Sequence, residues 1–82
     1  MNTFIAEIKI VLRDSILDVQ GKAIESSLHS LEFKQLSNVR VGKIITLNVT
    51  ADSSDEASAI IRQAANKLLA NPIIEDFSIT IN

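Results

Sequence analysis

The sequence predicts a small α+β protein, a two-layer sandwich with the element order β-α-β-α-β. Three observations support this fold class. Apolar and polar residues alternate with a period of two near residues 3–13, 38–51 and 74–82, as they do along half-buried strands. Between these segments, two others carry apolar residues at helical spacing. With 82 residues, two glycines and one proline, there is room for a single domain, residues 1–82, and for little loop.

The first element is a strand over Thr3–Arg13, and a connection leads from it into the first helix. Ser15 or Asp18 is the predicted N-cap, because either side chain can accept a hydrogen bond from a free backbone N–H. Gly21 lies inside this helix or at its start, and in a helix interior glycine costs about 1 kcal/mol relative to alanine. We therefore expect another part of the structure to approach closely there. The apolar stripe of this helix comprises Ala23, Ile24, Leu28, Leu31 and Phe33.

The longest alternating segment is Asn38–Ala51, which we interpret as one long strand, bent or bulged at Gly42. A two-residue hairpin turn at Gly42-Lys43 is the alternative, but it would place Arg40 on the same face as Ile45. One continuous strand keeps the apolar face intact. At about 3.3 Å per residue it would span roughly 45 Å, so we expect another chain to pair with or cover part of it. Divided at Gly42, the order becomes the βαββαβ of ferredoxin-like folds.

The second helix carries the clearest signals at its two ends. Ser53 and Glu56 match a capping box at its start. Asn71-Pro72 is predicted to end it, with Asn71 in the left-handed conformation that commonly closes helices. Its apolar stripe comprises Ala57, Ile60, Ile61, Ala64, Ala65, Leu68 and Leu69. The last strand, Ile74–Asn82, places Phe77, Ile79 and Ile81 on one face.

Composition and motifs give no indication of a catalytic site. The chain has no cysteine and one histidine, His29, which leaves no thiolate nucleophile and no zinc site; we expect His29 to face solvent. The net charge of −2 argues against nucleic acid as a partner, and the apolar runs are too short for a signal peptide or a membrane span. Arg40 and Lys43 are candidates for contact with a carboxylate or phosphate on a partner. The hydrophobic content of 46% is almost all aliphatic and could serve a tight core or an oligomer interface.

Four stretches together form a more specific pattern along almost the whole chain. They are Leu17-Asp18-x-Gln20-Gly21-Lys22-Ala23, Ala23-Ile24-Glu25-x-x-Leu28-His29-x-Leu31, Val39-Arg40-Val41-Gly42-Lys43 and Leu68-Leu69-Ala70-Asn71-Pro72-Ile73-Ile74-Glu75-Asp76-Phe77. In content and order they resemble the PurS family, the small subunits of phosphoribosylformylglycinamidine (FGAM) synthase. Two residues depart from the family pattern at helix boundaries. Val19 replaces a proline commonly found after Asp18, and Glu32 stands where a glycine usually follows the first helix.

The resemblance implies a subunit without catalytic residues in the fourth step of de novo purine synthesis. In that step formylglycinamide ribonucleotide, ATP and glutamine yield the formylglycinamidine. The chain would bridge the ATP-dependent synthetase subunit (PurL) and the glutaminase subunit (PurQ) so that ammonia passes between them. It would itself bind no cofactor, whereas the complex uses ATP, magnesium and glutamine. It would be cytoplasmic and form a homodimer or a higher homo-oligomer, with neither nucleic acid nor membrane as a partner.

The resemblance also suggests site residues, none of them catalytic or metal-binding. The suggested partner-binding residues are Asp18, Lys22, Arg40, Lys43 and Asp76. The suggested structural residues are Gly21, Gly42, Asn71 and Pro72. Two other functions remain open at this point: a ferredoxin-like regulatory domain that senses an amino acid or nucleotide, and a structural oligomer without a dedicated partner.

Overall fold

The structure, a computed structural model, describes all 82 residues, Met1–Asn82. Its strands are β1 (Asn2–Leu12), β2 (Gly42–Ala51) and β3 (Glu75–Ile81). Its helices are α1 (Val19–Ser30) and α2 (Ser54–Ala64), and a π-helical turn over Ala65–Leu69 continues α2. The strands form one antiparallel sheet in the order β2-β1-β3, with β1 at the centre. The predicted α+β class and the order of elements are confirmed.

The hydrophobic core lies on one face of this sheet. Ile8 in the central strand is fully buried and lies between Ile45 of β2 and Ile79 of β3. The helix α2 covers this face with Ala57 and Ile61, which are also buried. The period-two alternation predicted for all three strands therefore places most of their apolar residues on the side of the sheet that α2 covers, whereas Ile5 and Ile44 are exposed on the other side.

The first helix does not join this core, contrary to the expectation that both helices pack on the sheet. Gly21 is its one buried residue, and no residue of α1 belongs to the core cluster. Ile24 and Leu31, predicted to form its inner stripe, are 40% and 68% exposed. The molecule is accordingly elongated and thin, with extents of 52 × 24 × 14 Å. Only α2 forms the second layer.

The long strand is continuous but shorter than predicted. There is no hairpin at Gly42-Lys43, because both residues pair with β1 in one uninterrupted register. Residues 38–41, however, are not strand, and Asn38 has a φ of 55°. The backbone N–H groups of Val39 and Val41 donate to side chains of α1 instead of to a neighbouring strand. The sheet consequently has three strands, with β2 counted once.

The N-terminus of α2 forms as predicted, whereas its C-terminus differs from the prediction. Ser53 caps the helix by accepting a hydrogen bond from the N–H of Glu56 at 3.1 Å. The prediction of a left-handed Asn71 is wrong, since only Glu32 and Asn38 have positive φ among the non-glycine residues. The N–H of Ala70 instead closes a π-turn onto the carbonyl of Ala65, and the chain leaves the helix in extended conformation.

Glu32 occupies the left-handed position that ends α1. Its φ is 74°, and the N–H groups of Glu32 and Phe33 donate to the carbonyls of His29 and Leu28. These are the two hydrogen bonds of a Schellman motif, in which glycine is the usual residue at the left-handed position. The chain thus places a side chain where the backbone conformation favours glycine.

Replacement of Glu32 by glycine is expected to raise the free energy of unfolding by about 1 kcal/mol. The left-handed conformation costs a side-chain-bearing residue roughly 1–2 kcal/mol, and the larger unfolded-state entropy of glycine offsets part of that gain. Thermal unfolding followed by circular dichroism measures the change. The matched control is Glu32→Ala, which removes the 3.8 Å ion pair with Lys34 but keeps the Cβ. An equal gain in the alanine variant would contradict the backbone explanation.

Candidate functional site

One face of α1 carries two carboxylates on either side of a glycine. Asp18, Gly21 and Glu25 are spaced by three and four positions, so they lie on the same side of the helix. Asp18 caps the helix by accepting the Gly21 N–H at 2.8 Å, and its other oxygen accepts the Val41 N–H at 2.6 Å. Glu25 accepts the Val39 N–H at 3.0 Å. We call the N-cap Asp18, Gly21 and Glu25, together with residues 39–41, the α1 seam.

Gly21 makes the close approach within the seam possible. A Cβ at this position would collide with the backbone carbonyl oxygen of Val39 and with the carboxylate of Asp18. The sequence alone indicated a close approach at Gly21, and the structure identifies the segment that makes it. A helix bearing any side chain here would have to stand further from residues 39–41.

Arg40 holds the other side of the same segment. Its guanidinium donates to the carbonyl oxygens of Arg13 at 2.9 Å and Ile16 at 3.1 Å, in the connection between β1 and α1. A third, longer contact of 3.4 Å reaches the carbonyl of Leu12. The Arg40 side chain, predicted to contact a partner, is thus engaged within its own chain.

The hydrogen bonds of the seam stabilise its carboxylates in their charged form. The N–H of Val41, followed by that of Gly21, holds the pKa of Asp18 below its usual value. The N–H of Val39 has the same effect on the pKa of Glu25. Burial of each carboxylate acts in the opposite direction and is the smaller influence. Asp18, also suggested as a partner contact, is 5% exposed and has both oxygens occupied within the chain.

Acid is expected to open the α1 seam. Since the folded-state pKa values of Asp18 and Glu25 are lowered, both groups stabilise the fold above the ordinary carboxyl values of about 4. This contribution is lost as the pH falls through the folded-state values, in the window below about pH 4. NMR titration of the two carboxyls, with unfolding measured between pH 7 and 2, tests this. Equal acid sensitivity in the Asp18→Asn, Glu25→Ala double variant and in the wild type would contradict it.

The remaining suggested residues lie at separate places on the surface. Lys22 on α1 and Lys43 on β2 are exposed and form no ion pair. Asp76 lies 3.6 Å from the guanidinium of Arg13, which also donates to the carbonyl of Pro72. The Asn71 side chain accepts the N–H of Ile73, and Gly42 opens β2, where a Cβ would lie 2.7 Å from the Val11 side chain.

His29 differs from its sequence-based expectation. It is half-buried, and its Nε2 lies 2.6 Å from the carbonyl oxygen of Leu36. It therefore joins the last turn of α1 to the segment that leads back to the sheet, whereas the sequence predicted a solvent-facing side chain.

An open groove of about 470 Å³ lies beside the seam. Ile10 and Leu12 of β1 contribute its apolar part, whereas Lys43 and Glu75 carry charges at its border. The groove thus offers charge and apolar surface to a partner.

No group of three or more His, Asp or Glu side chains in the molecule could hold a metal ion. Both helices lack the length and apolar character that a membrane-spanning helix needs.

Several exposed large apolar residues lie in α1 and in the segments that flank it. We call them together the α1 apolar surface, and its members are Leu17, Val19, Ile24, Leu31, Phe33 and Leu36. Exposed apolar patches mark interaction sites in soluble proteins. The arrangement of seam, groove and apolar surface is suited to binding other proteins.

Comparison with known proteins gives a consistent result. The family model described as "PurS: Phosphoribosylformylglycinamidine (FGAM) synthase" matches residues 5–82. A "Phosphoribosylformylglycinamidine synthase subunit PurS" from Mycobacterium leprae is 41% identical over 75 residues, covering 92% of this chain and 91% of the relative. The subunit of the same name from Archaeoglobus fulgidus is 36% identical over 75 residues, covering 92% and 94%.

Solved structures agree with these relatives in fold. A chain in the "Structure of PurLQS from Thermotoga maritima" superposes with a TM-score of 0.92 at 29% identity, covering 100% of both chains. The crystal structure of Methanocaldococcus jannaschii PurS superposes with a TM-score of 0.87 at 26% identity, covering 96% of this chain and 95% of that one.

Proposed function

Because the chain belongs to the PurS family of FGAM synthase subunits, we propose that it is the small, non-catalytic subunit of this enzyme. Its full-length similarity to a chain of the Thermotoga PurLQS structure is the observation that carries the proposal. The partners are then a PurL-type synthetase and a PurQ-type glutaminase. The chain bridges them for ammonia transfer in the cytoplasm, and the assembled complex consumes ATP and glutamine in the presence of magnesium.

In this role the chain contributes surfaces, while its partners contribute the reacting groups. One of these is the α1 apolar surface, none of whose residues belongs to the hydrophobic core of the chain itself. A second copy of the chain is the occupant that we propose for it. A dimer or higher homo-oligomer would supply the burial that α1 lacks in a single protomer, and a small chain with a limited core gains stability in this way.

The exposed charges of the suggested site are the proposed contacts with PurL or PurQ. Lys22 and Lys43 are free cations, and the Asp76 side chain is 60% exposed beside Arg13. Lys43 is the strongest candidate because it borders the open groove. Asp18 and Arg40 serve the site indirectly, through the internal contacts described above.

The deciding experiment compares glutamine-supported with ammonia-supported turnover by purified PurL and PurQ, with and without this chain. Glutamine-supported turnover is expected to require the chain, whereas ammonia-supported turnover is not, because free ammonia needs no transfer between subunits. If neither rate changes although all three proteins are folded, the bridging function is overturned in favour of ligand sensing or a purely structural role.

Variants then locate the contact. Lys43→Ala is expected to lower glutamine-supported turnover through weaker assembly. Lys9→Ala is the matched control, because Lys9 is an exposed lysine whose register places it on the opposite face of the sheet. Equal effects of the two substitutions would contradict a specific contact at Lys43.

A further inference from the structure

The attachment of α1 to the rest of the molecule is polar. The helix adds no side chain to the hydrophobic core, so packing in that core does not hold it in place. Its connections to the returning segment are carboxylate-to-backbone hydrogen bonds at Asp18 and Glu25, the close approach at Gly21, and the His29 contact near its end.

Two anchors on one helix face determine the direction of a helix, whereas one anchor leaves it free to pivot. Asp18 and Glu25 are seven positions apart, which is about two helical turns or 10 Å along the axis. Asp18 accepts the N–H of Val41, and Glu25 accepts the N–H of Val39. These two N–H groups are two residues apart in a segment that is antiparallel to the helix. Hydrogen bonds are directional, whereas apolar contact is not.

The segment that receives α1 is itself fixed to the sheet. Val41 is followed directly by Gly42, which opens β2 and pairs with Val11. On its other side, Arg40 binds carbonyl groups of the connection between β1 and α1. Residues 39–41 are therefore held from both sides, and they can transmit the orientation of the sheet to the helix.

We propose that the α1 seam is a positioning device, in which Asp18 and Glu25 set the direction of α1 relative to the sheet and thereby place the α1 apolar surface for its partner. The control of direction is a property of the free chain, whereas the placement for a partner rests on the proposed function. Asp18 and Glu25 are positioning residues in this scheme, and neither has to touch the partner.

The chemistry of the two carboxylates defines informative variants. Glu25 uses one oxygen toward Val39, so Glu25→Gln retains an acceptor there, whereas Glu25→Ala has none. Asp18 uses both oxygens, so Asp18→Asn turns one acceptor into an amide donor that faces a backbone N–H. We expect Glu25→Gln to behave like the wild type, and Asp18→Asn and Glu25→Ala to release the helix. Asp14→Asn is the control, because Asp14 is exposed and makes no side-chain hydrogen bond or ion pair.

The direct readout is the distance between spin labels on α1 and on the sheet. The chain has no cysteine, so Ser26→Cys and Thr80→Cys introduce the only two labelling sites, both at exposed positions. Labelled chains are diluted into an excess of unlabelled chains, so that pairs of labels in different protomers do not contribute. A narrow distance distribution is expected in the wild type, Glu25→Gln and Asp14→Asn, and a broadened one in Glu25→Ala and Asp18→Asn.

Hydrogen exchange provides a second readout that remains informative if a variant is less stable. The amides of α1 are expected to exchange about tenfold faster in Glu25→Ala, as for the loss of one net hydrogen bond, while those of β1 keep their protection. Equal acceleration in β1, or a Glu25→Ala distance distribution as narrow as that of Glu25→Gln, overturns the proposal. Both readouts use the free chain, so label distributions and exchange rates as expected, in a chain that has no effect on glutamine-supported turnover, would overturn the proposed function alone.

Discussion

Replacement of Ile8 by alanine is expected to lower the free energy of unfolding by about 4 kcal/mol. Ile8 is fully buried in the central strand between Ile45 and Ile79. Its truncation removes apolar burial and leaves a cavity that the flanking strands cannot fill, because the sheet fixes their spacing. The core contains few large side chains, and for a domain of this size a loss of 1 kcal/mol lowers Tm by about 4–8 °C. We therefore expect most of the thermal stability to be lost.

Ile5→Ala is the matched control for this substitution. Ile5 lies in the same strand, but it points to the opposite face of the sheet and is 56% exposed. Its truncation is expected to cost less than about 1 kcal/mol, because little burial is lost. Urea unfolding of both variants measures the difference. Similar losses in the two would mean that the outer face of the sheet is covered as fully as the inner one.

Replacement of Gly21 by alanine is expected to lower the free energy of unfolding by about 2 kcal/mol. Two effects of opposite sign compete. Alanine improves helix propensity by about 1 kcal/mol, whereas its Cβ would collide with the Val39 carbonyl, and overpacking of this kind costs about 3 kcal/mol. The collision dominates because its partner is a backbone atom of a segment held on both sides, not the end of a flexible side chain.

The control for Gly21→Ala is a second change to alanine on the same helix. Ser26→Ala at an exposed position is expected to raise stability by a few tenths of a kcal/mol through helix propensity alone. Unfolding curves and hydrogen exchange of α1 distinguish the two cases. A stabilised Gly21→Ala variant would show that residues 39–41 can move away from the helix, and would thereby also weaken the argument that the seam positions α1.

The seam also changes the interpretation of the resemblance to PurS. Asp18 and Arg40 belong to the stretches that carry this resemblance, and the sequence suggested them as contacts with other subunits. In the structure both are engaged inside the chain. A residue can thus serve an interface by fixing the element that forms it. Glu25 completes the seam and was not among the suggested site residues, although its spacing of four from Gly21 and seven from Asp18 is visible in the sequence.

The sequence by itself determined those helices and strands in which the apolar periodicity and the capping residues agree with the way the element packs in the structure. The alternation around Ile8 and Ile79 and the buried positions of α2 such as Ile61 follow from the side-chain periodicity of strands and helices. The Ser53 cap follows from the needs of the free N–H groups at a helix start, whereas only the structure decided between Ser15 and Asp18 as the cap of α1. Most residues that are apolar by pattern in these elements lie against the sheet, but the prediction is wrong for Ile60 and Leu68 of the α2 stripe, which are 43% and 83% exposed.

Tertiary structure decided the rest, and α1 is the clearest case. Its stripe at Ile24 and Leu31 has the same pattern as a core helix, because periodicity reports that a face is apolar but not what covers it. Residues 38–41 continue the strand pattern, yet Val39 and Val41 donate to Glu25 and Asp18. A backbone N–H takes whichever acceptor the fold brings within reach, and two carboxylates on an approaching helix are stronger acceptors than solvent-exposed carbonyls. That choice depends on groups up to 23 residues apart, a separation at which local sequence patterns carry no information.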